Sequence, residues 1–114
     1  FETLAARVGG LLQRGYSVLI FPEGTRSATG RLGRFHQGAF ALAERFDVDI
    51  LPLFLRGTGQ VLGKTDLAIR AGKIDVEVGP RISPSDPLRQ GSTLQQARQF
   101  RQYYQTVLSN PSDA

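Results

Sequence analysis

The chain has 114 residues, carries a formal net charge of +4 and contains no cysteine. This length limits it to one domain with a modest core, and the lack of cysteine excludes disulfides and thiolate zinc sites. The positive charge favours anionic partners such as phosphate, nucleic acid or an acidic membrane surface, without choosing among them.

The predicted elements of the first half alternate between helix and strand. Apolar residues recur at helical spacing over residues 1–12, and Gly15 is well placed to end this helix. The run SVLIF, residues 17–21, is continuously apolar and predicts a strand buried on both faces. Residues 22–34 contain three glycines and are predicted to form a loop. A second amphipathic helix is expected over residues 35–46.

The second half begins with another apolar strand, DILPLFL at residues 49–55, in which Pro52 predicts a bulge or a free N–H side. Residues 67–78 alternate in the manner of a hairpin whose second strand has one wet face. Ser92 and Gln95 form a capping-box pattern that opens a last helix. This order predicts an α/β fold: a mostly parallel, mixed sheet flanked by helices, with a C-terminal hairpin and helix.

Polar residues follow the first predicted strand, where ligands of α/β sheets usually bind. Arg26 can hold a phosphate through two hydrogen bonds, Gly24 lets the backbone approach closely, and Thr25 adds a donor. Glu23 can hold the guanidinium in place or accept a hydrogen bond from a substrate hydroxyl. A second polar turn begins at Arg56, and it would open on the same edge if the two strands were parallel.

A purely structural interpretation of this turn is equally consistent with the spacing. Glu23 and Arg26 could form an ion pair that closes the loop, because such pairs are common and perturbed charges mark functional sites only statistically. Arg31 and Arg34 are better explained as solvated loop charges than as ligands.

Two other patterns in the chain do not develop into sites. His36 is the sole histidine, and Ala41 occupies the position where a His-x4-Asp pair would place its acid, so we expect a surface residue. The segment GTGQVLGKT, residues 57–65, resembles a phosphate-binding loop, but Thr58 stands where that motif requires glycine. Nucleotide binding through this segment is therefore not expected.

The whole stretch of residues 8–83 resembles the glycerophospholipid acyltransferase family, which includes the 1-acyl-sn-glycerol-3-phosphate acyltransferases. FPEGTRS (21–27) looks like the third motif of that family, and GRFHQGAFALAE (33–44) is similar to the segment that follows it. ILPLFLRGT (50–58) resembles the fourth motif, and GKIDVEVGPRI (72–82) resembles the β-segment after it. The ordered set is more specific than any single motif.

The chain departs from the family pattern before Glu23. The family's His-x4-Asp catalytic box and its second motif precede this point, whereas residues 1–22 contain neither histidine nor aspartate, and the sequence opens with Phe1 instead of methionine. We therefore expect residues 1–108 to be the C-terminal part of an acyltransferase domain and residues 109–114 a flexible tail. No catalytic residue is expected in this chain, which we predict to be inactive by itself.

The resemblance implies transfer of a fatty acyl group from acyl-CoA or acyl-carrier protein to the hydroxyl of a (1-acyl-)glycerol 3-phosphate in phospholipid synthesis. Glu23 and Arg26 would bind the glycerol phosphate, Gly24 and Thr25 would shape the turn, and Pro52 would help form the acyl-donor side. No metal or organic cofactor and no nucleic-acid partner is implied. The expected location is the cytoplasmic face of a membrane, as in bacterial-type enzymes. The alternative is a non-catalytic module that binds anionic lipid or phosphate through Arg26, Arg31 and Arg34.

Overall fold

The computed structural model describes residues 1–23, 32–56 and 75–110. Within these ranges the chain forms three α-helices, two β-strands and one short 3₁₀ helix. In chain order they are α1 (Glu2–Gln13), α2 (Gly38–Phe46), β1 (Leu53–Arg56), β2 (Asp75–Val78), the 3₁₀ helix (Pro87–Arg89) and α3 (Thr93–Ser109). The α/β class is confirmed. The two described strands pair antiparallel, so the mostly parallel sheet stays a prediction. The expected start of a flexible tail at residue 109 also stays a prediction.

Helix α1 ends as its sequence predicts. Gly15 has a φ of +88°, a backbone conformation that glycine adopts without steric cost. The N–H of Tyr16 donates to the carbonyl of Leu11 at 3.0 Å, and the N–H of Gly15 donates to that of Leu12 at 3.1 Å. These two bonds satisfy carbonyls that the helix leaves free at its end.

Helix α3 begins with the predicted capping box. The Ser92 hydroxyl accepts a hydrogen bond from the N–H of Gln95 at 3.2 Å, and the N–H of Ser92 donates to Oε1 of Gln95 at 2.8 Å. Two backbone donors at the helix N-terminus are thereby satisfied within a few residues of chain.

The strand pairing is interrupted at Pro52, as the sequence predicts. Ile50 bridges Ile82 and Leu53 pairs with Val78, so two residues on one side face three on the other, which is the pattern of a β-bulge. Pro52 has no N–H to donate, but its carbonyl accepts from the N–H of Gly79 at 2.9 Å. A Cβ on Gly79 would lie 2.9 Å from side-chain atoms of Pro52 and Phe54, so this close approach requires glycine.

The main core lies between helices α2 and α3, and it includes residues from the segments that precede these two helices. Its buried members are Phe35, Phe40, Ile82, Ala97 and Phe100. The rings of Phe40 and Phe100 lie 4.8 Å apart, which joins the two helices directly. Phe54 of β1 extends this packing, because its ring lies 4.5 Å from that of Tyr104 on α3.

A smaller cluster joins α1 to α2 through Ala5, Val8 and Leu42. On its solvent side, the guanidinium of Arg45 donates to both carboxylate oxygens of Glu2, at 2.8 and 2.9 Å. This hydrogen-bonded cation lowers the pKa of the Glu2 carboxyl from its usual value. Both side chains are exposed, so the pair orients the helices more than it stabilises them.

The buried Arg89 fixes the chain between β2 and α3. Its side chain donates to the carbonyls of Val48 at 2.9 Å and Ile82 at 3.3 Å. Burial lowers the pKa of this guanidinium, and the nearby carboxylates, Asp49 first among them, oppose the effect. Because the Ile82 carbonyl also accepts the N–H of Ile50 in the Ile50–Ile82 bridge, Arg89 holds the 3₁₀ helix against the end of the sheet.

The strand predicted over residues 17–21 is not formed. Val18 packs against the smaller cluster, but Leu19 and Phe21 are each 67% exposed. The prediction of burial on both faces was therefore wrong for the described chain. A strand is defined by hydrogen bonds to a neighbour, and residues 17–21 pair with none in the three described ranges.

The predicted hairpin is only partly described. Its second strand is β2, which pairs with β1, and its first strand falls outside the described residues. Val76 and Val78 are 56% and 60% exposed, so the expectation of a single wet face was wrong. The reason is that Glu77 lies opposite the buried Phe54, which turns the two valines away from α3.

Candidate functional site

The loop that carries the predicted phosphate-binding residues is closed at its base. Glu23 and Phe35 form an isolated antiparallel bridge, and the N–H of His36 donates to the carbonyl of Pro22 at 2.9 Å. Phe35 is buried in the main core, so the C-terminal end of the loop is anchored to α2 and α3. Glu23, half-buried at the other end, therefore stands at a fixed point of the fold.

Gly24, Thr25 and Arg26 lie outside the described residues. Their proposed contact with a phosphate stays a prediction, and so does the ion-pair interpretation of Glu23 with Arg26.

Pro52 is fully buried and packs beside Gly79 and Phe54. Its side chain is therefore part of the packing at the start of β1. In the described ranges, no hydrogen bond joins Pro52 to Glu23. A role for Pro52 on the acyl-donor side would act through the position of its strand.

Arg56, the last residue of β1, has a structural role that the sequence did not indicate. Arg56 points at the C-terminus of α3, where its guanidinium donates to the carbonyls of Val107 at 2.9 Å and Leu108 at 3.0 Å. It also binds the Glu77 carboxylate at 3.3 Å. A guanidinium at a helix C-terminus satisfies free carbonyls and complements the helix dipole. The sequence indicated only that a turn starting at Arg56 would open on the same edge as Glu23 if the two strands were parallel, and it did not indicate these contacts with α3.

We expect Arg56→Lys to lower the free energy of unfolding by about 1–2 kcal/mol, because lysine keeps the charge but cannot donate to two carbonyls and a carboxylate together. Denaturant unfolding measures this change. Arg81→Lys is the matched control, since Arg81 has one exposed ion pair, with Asp49 at 3.5 Å. Equal effects of the two substitutions would contradict the capping role of Arg56.

His36 is exposed, in agreement with its prediction as a surface residue. Within the described ranges, no group of histidine, aspartate and glutamate side chains is arranged to hold a metal ion. The same ranges contain no helix with the length and apolar character needed to cross a bilayer.

Beside the loop lies an open groove of about 400 Å³ that the sequence did not predict. Arg34, Arg98 and Arg101 line it together with Phe35, Leu94 and Ala97. We refer to these six residues as the arginine groove. The i, i+3, i+4, i+7 spacing of the four α3 members was visible in the sequence, but only packing of the loop against α3 places Arg34 next to them.

Comparison with known proteins finds acyltransferases, both by family model and by sequence identity. Residues 2–56 match the family model described as Acyltransferase. The chain is 52% identical over 52 residues to a chloroplastic 1-acyl-sn-glycerol-3-phosphate acyltransferase of Arabidopsis thaliana, covering 46% of this chain and 15% of that protein. It is 40% identical over 81 residues to a 1-acyl-sn-glycerol-3-phosphate acyltransferase of Pseudomonas aeruginosa, covering 71% and 31%.

A solved structure has the same fold. The crystal structure of the 1-acyl-sn-glycerophosphate acyltransferase PlsC from Thermotoga maritima superposes with a TM-score of 0.67 at 23% identity, covering 91% of this chain and 40% of that one. This chain therefore matches less than a third of the length of the two curated relatives and less than half of the solved structure.

Proposed function

The chain belongs to the glycerophospholipid acyltransferase family, and we propose that it is the phosphate-binding half of an enzyme that acylates a glycerophosphate hydroxyl. The acceptor would be glycerol 3-phosphate or its 1-acyl form. The observation that carries this proposal is the sequence Glu23–Gly24–Thr25–Arg26, which lies within the residues matched by the family model and whose first residue bridges Phe35.

The proposed role of the turn is to bind and orient the acceptor phosphate. The guanidinium of Arg26 can donate two parallel hydrogen bonds to phosphate oxygens, and Glu23 can fix that guanidinium or accept from an acceptor hydroxyl. When the phosphate is held in place, attack of the acceptor hydroxyl on the acyl thioester becomes an effectively intramolecular step. This positioning can supply a large part of the rate enhancement. The anchored base of the loop supports this positioning role.

The proposed reaction is acyl transfer from a thioester, with acyl-CoA or acyl-carrier protein as donor and no cofactor. The acceptor hydroxyl oxygen bonds to the acyl carbon, the carbon–sulfur bond breaks, and the thiol leaves with the proton. We place the general base outside residues 1–114, because His36 is exposed and Ala41 stands where a His-x4-Asp pair would need its acid. The proposed location is the cytoplasmic face of a membrane.

The proposal is tested by an acyl-transfer assay on the complete natural polypeptide that carries this sequence. We expect a fatty acyl thioester to be consumed when glycerol 3-phosphate or 1-acyl-glycerol 3-phosphate is supplied, with an ester product of matching chain length. Binding of phosphate-bearing lipid without any transfer would refute the enzyme and support the non-catalytic binding module instead.

Residues 1–114 alone are expected to show no acyl transfer. General base catalysis needs a histidine and carboxylate pair, and the only histidine of this chain has no acid at the required spacing. The measurement compares thiol release by the purified chain with that by the complete polypeptide at equal concentration. Turnover by the short chain would contradict the prediction and return His36 to consideration as a base.

A further inference from the structure

We propose that the arginine groove binds the phosphate-bearing head group of an anionic phospholipid at a membrane surface. Its residues are different from Glu23–Arg26, and the proposal does not depend on acyl transfer. Its basic side chains come from two elements, with Arg34 in the loop segment before α2 and both Arg98 and Arg101 on α3.

The charge on this face of α3 is not compensated locally. Residues 93–109 contain two arginines and no aspartate or glutamate, and none of the described residues that line the groove is acidic. In the described ranges the ion pairs of the protein involve other arginines: Arg45, Arg56 and Arg81. The groove is therefore a concentrated positive surface that attracts an anion.

Arg101 builds the site by fixing the loop against the helix. Its Nε donates to the carbonyl of Gly33 at 2.9 Å, and its Nη2 donates to that of Leu32 at 3.1 Å. These bonds are partly buried and hold the residue that follows, Arg34, beside α3. Arg34 and Arg98 form no hydrogen bond or ion pair with any described residue, so their guanidinium groups remain available to a phosphate.

The apolar part of the groove favours a lipid over a free phosphate ion. Phe35, Leu94 and Ala97 contribute the carbon surface between the arginines, and Leu94 is 36% exposed at the surface of α3. In a phospholipid, the phosphate lies directly above the glycerol and acyl carbons. Such a ligand suits a groove in which arginine side chains lie next to apolar ones. The open shape also fits a ligand that remains part of a bilayer surface.

The test is binding of the complete polypeptide to vesicles of phosphatidylcholine with and without phosphatidylglycerol, at fixed ionic strength. We expect the anionic vesicles to bind more tightly. Arg98→Gln should weaken this binding about fivefold, and the double variant Arg34→Gln with Arg98→Gln about 25-fold, because each basic residue near an anionic membrane contributes on the order of 1 kcal/mol. Arg34→Lys with Arg98→Lys should keep most of the affinity.

The matched control is Arg7→Gln with Arg81→Gln, which removes the same charge from exposed positions outside the groove. Thermal unfolding of every variant checks that the fold is intact. The proposal is supported if only the groove variants lose affinity. It is overturned if the control pair weakens binding equally, if both vesicle types bind alike, or if inorganic phosphate displaces the protein from vesicles at micromolar concentration, which would indicate a free-phosphate site.

Discussion

Replacing Arg26 by lysine in the complete polypeptide is expected to lower kcat/KM for a phosphorylated acceptor roughly tenfold to a hundredfold. The loss corresponds to one charge-assisted hydrogen bond, on the order of 1.5–3 kcal/mol. Lysine retains the charge but offers a single point contact where the planar guanidinium can hold two phosphate oxygens. The segment that carries Arg26 begins at Glu23, and the bridge between Glu23 and Phe35 fixes the position of this first residue.

Arg31→Lys is the matched control, because it makes the same chemical change in the same loop at a position we interpret as solvated. Its effect should be small, since exposed charges mainly steer and are screened by salt. The loss caused by Arg26→Lys should also be larger for a phosphorylated acceptor than for one without phosphate. If both acceptors suffer equally and the melting temperature falls as well, Arg26 is instead the partner of Glu23 in a structural ion pair.

Phe100→Ala is expected to destabilise the protein by about 3–5 kcal/mol. Phe100 is 1% exposed, and its ring packs against that of Phe40 between α2 and α3. Removing it leaves a cavity in the main core, which the surrounding helices can fill only in part. The midpoint of denaturant unfolding, followed by far-ultraviolet circular dichroism, measures the change.

Leu94→Ala provides the comparison, since it also replaces a large apolar residue on α3 but at a position that is 36% exposed. We expect it to cost less than about 1 kcal/mol. If the two substitutions destabilise the protein by similar amounts, α3 does not pack through Phe100, and the arrangement of α2 against α3 described above is incorrect.

Features that depend on a few neighbouring residues could be predicted from the amino-acid sequence. The positive φ of Gly15 that ends α1, the Ser92–Gln95 capping box and the bulge beside Pro52 were all predictable. Each follows from local chemistry: a residue without a Cβ, a hydroxyl within reach of an N–H, or a missing backbone donor. The motif around Glu23 is likewise a short stretch of sequence, so it indicates the family without any knowledge of the fold.

The contacts of the strand ends and of the arginines could not be predicted in this way, and they became known from the three-dimensional packing. The sequence did not indicate a partner for Arg56, whose guanidinium donates to the carbonyls of Val107 and Leu108 at the C-terminus of α3. Residues 17–21 have the composition of a buried strand, but composition supplies no neighbour to bond with, and Phe21 remains largely exposed. The arginine groove arises because Arg34 and Arg101 meet across a long stretch of chain. Such contacts depend on packing between distant segments, which local patterns do not encode.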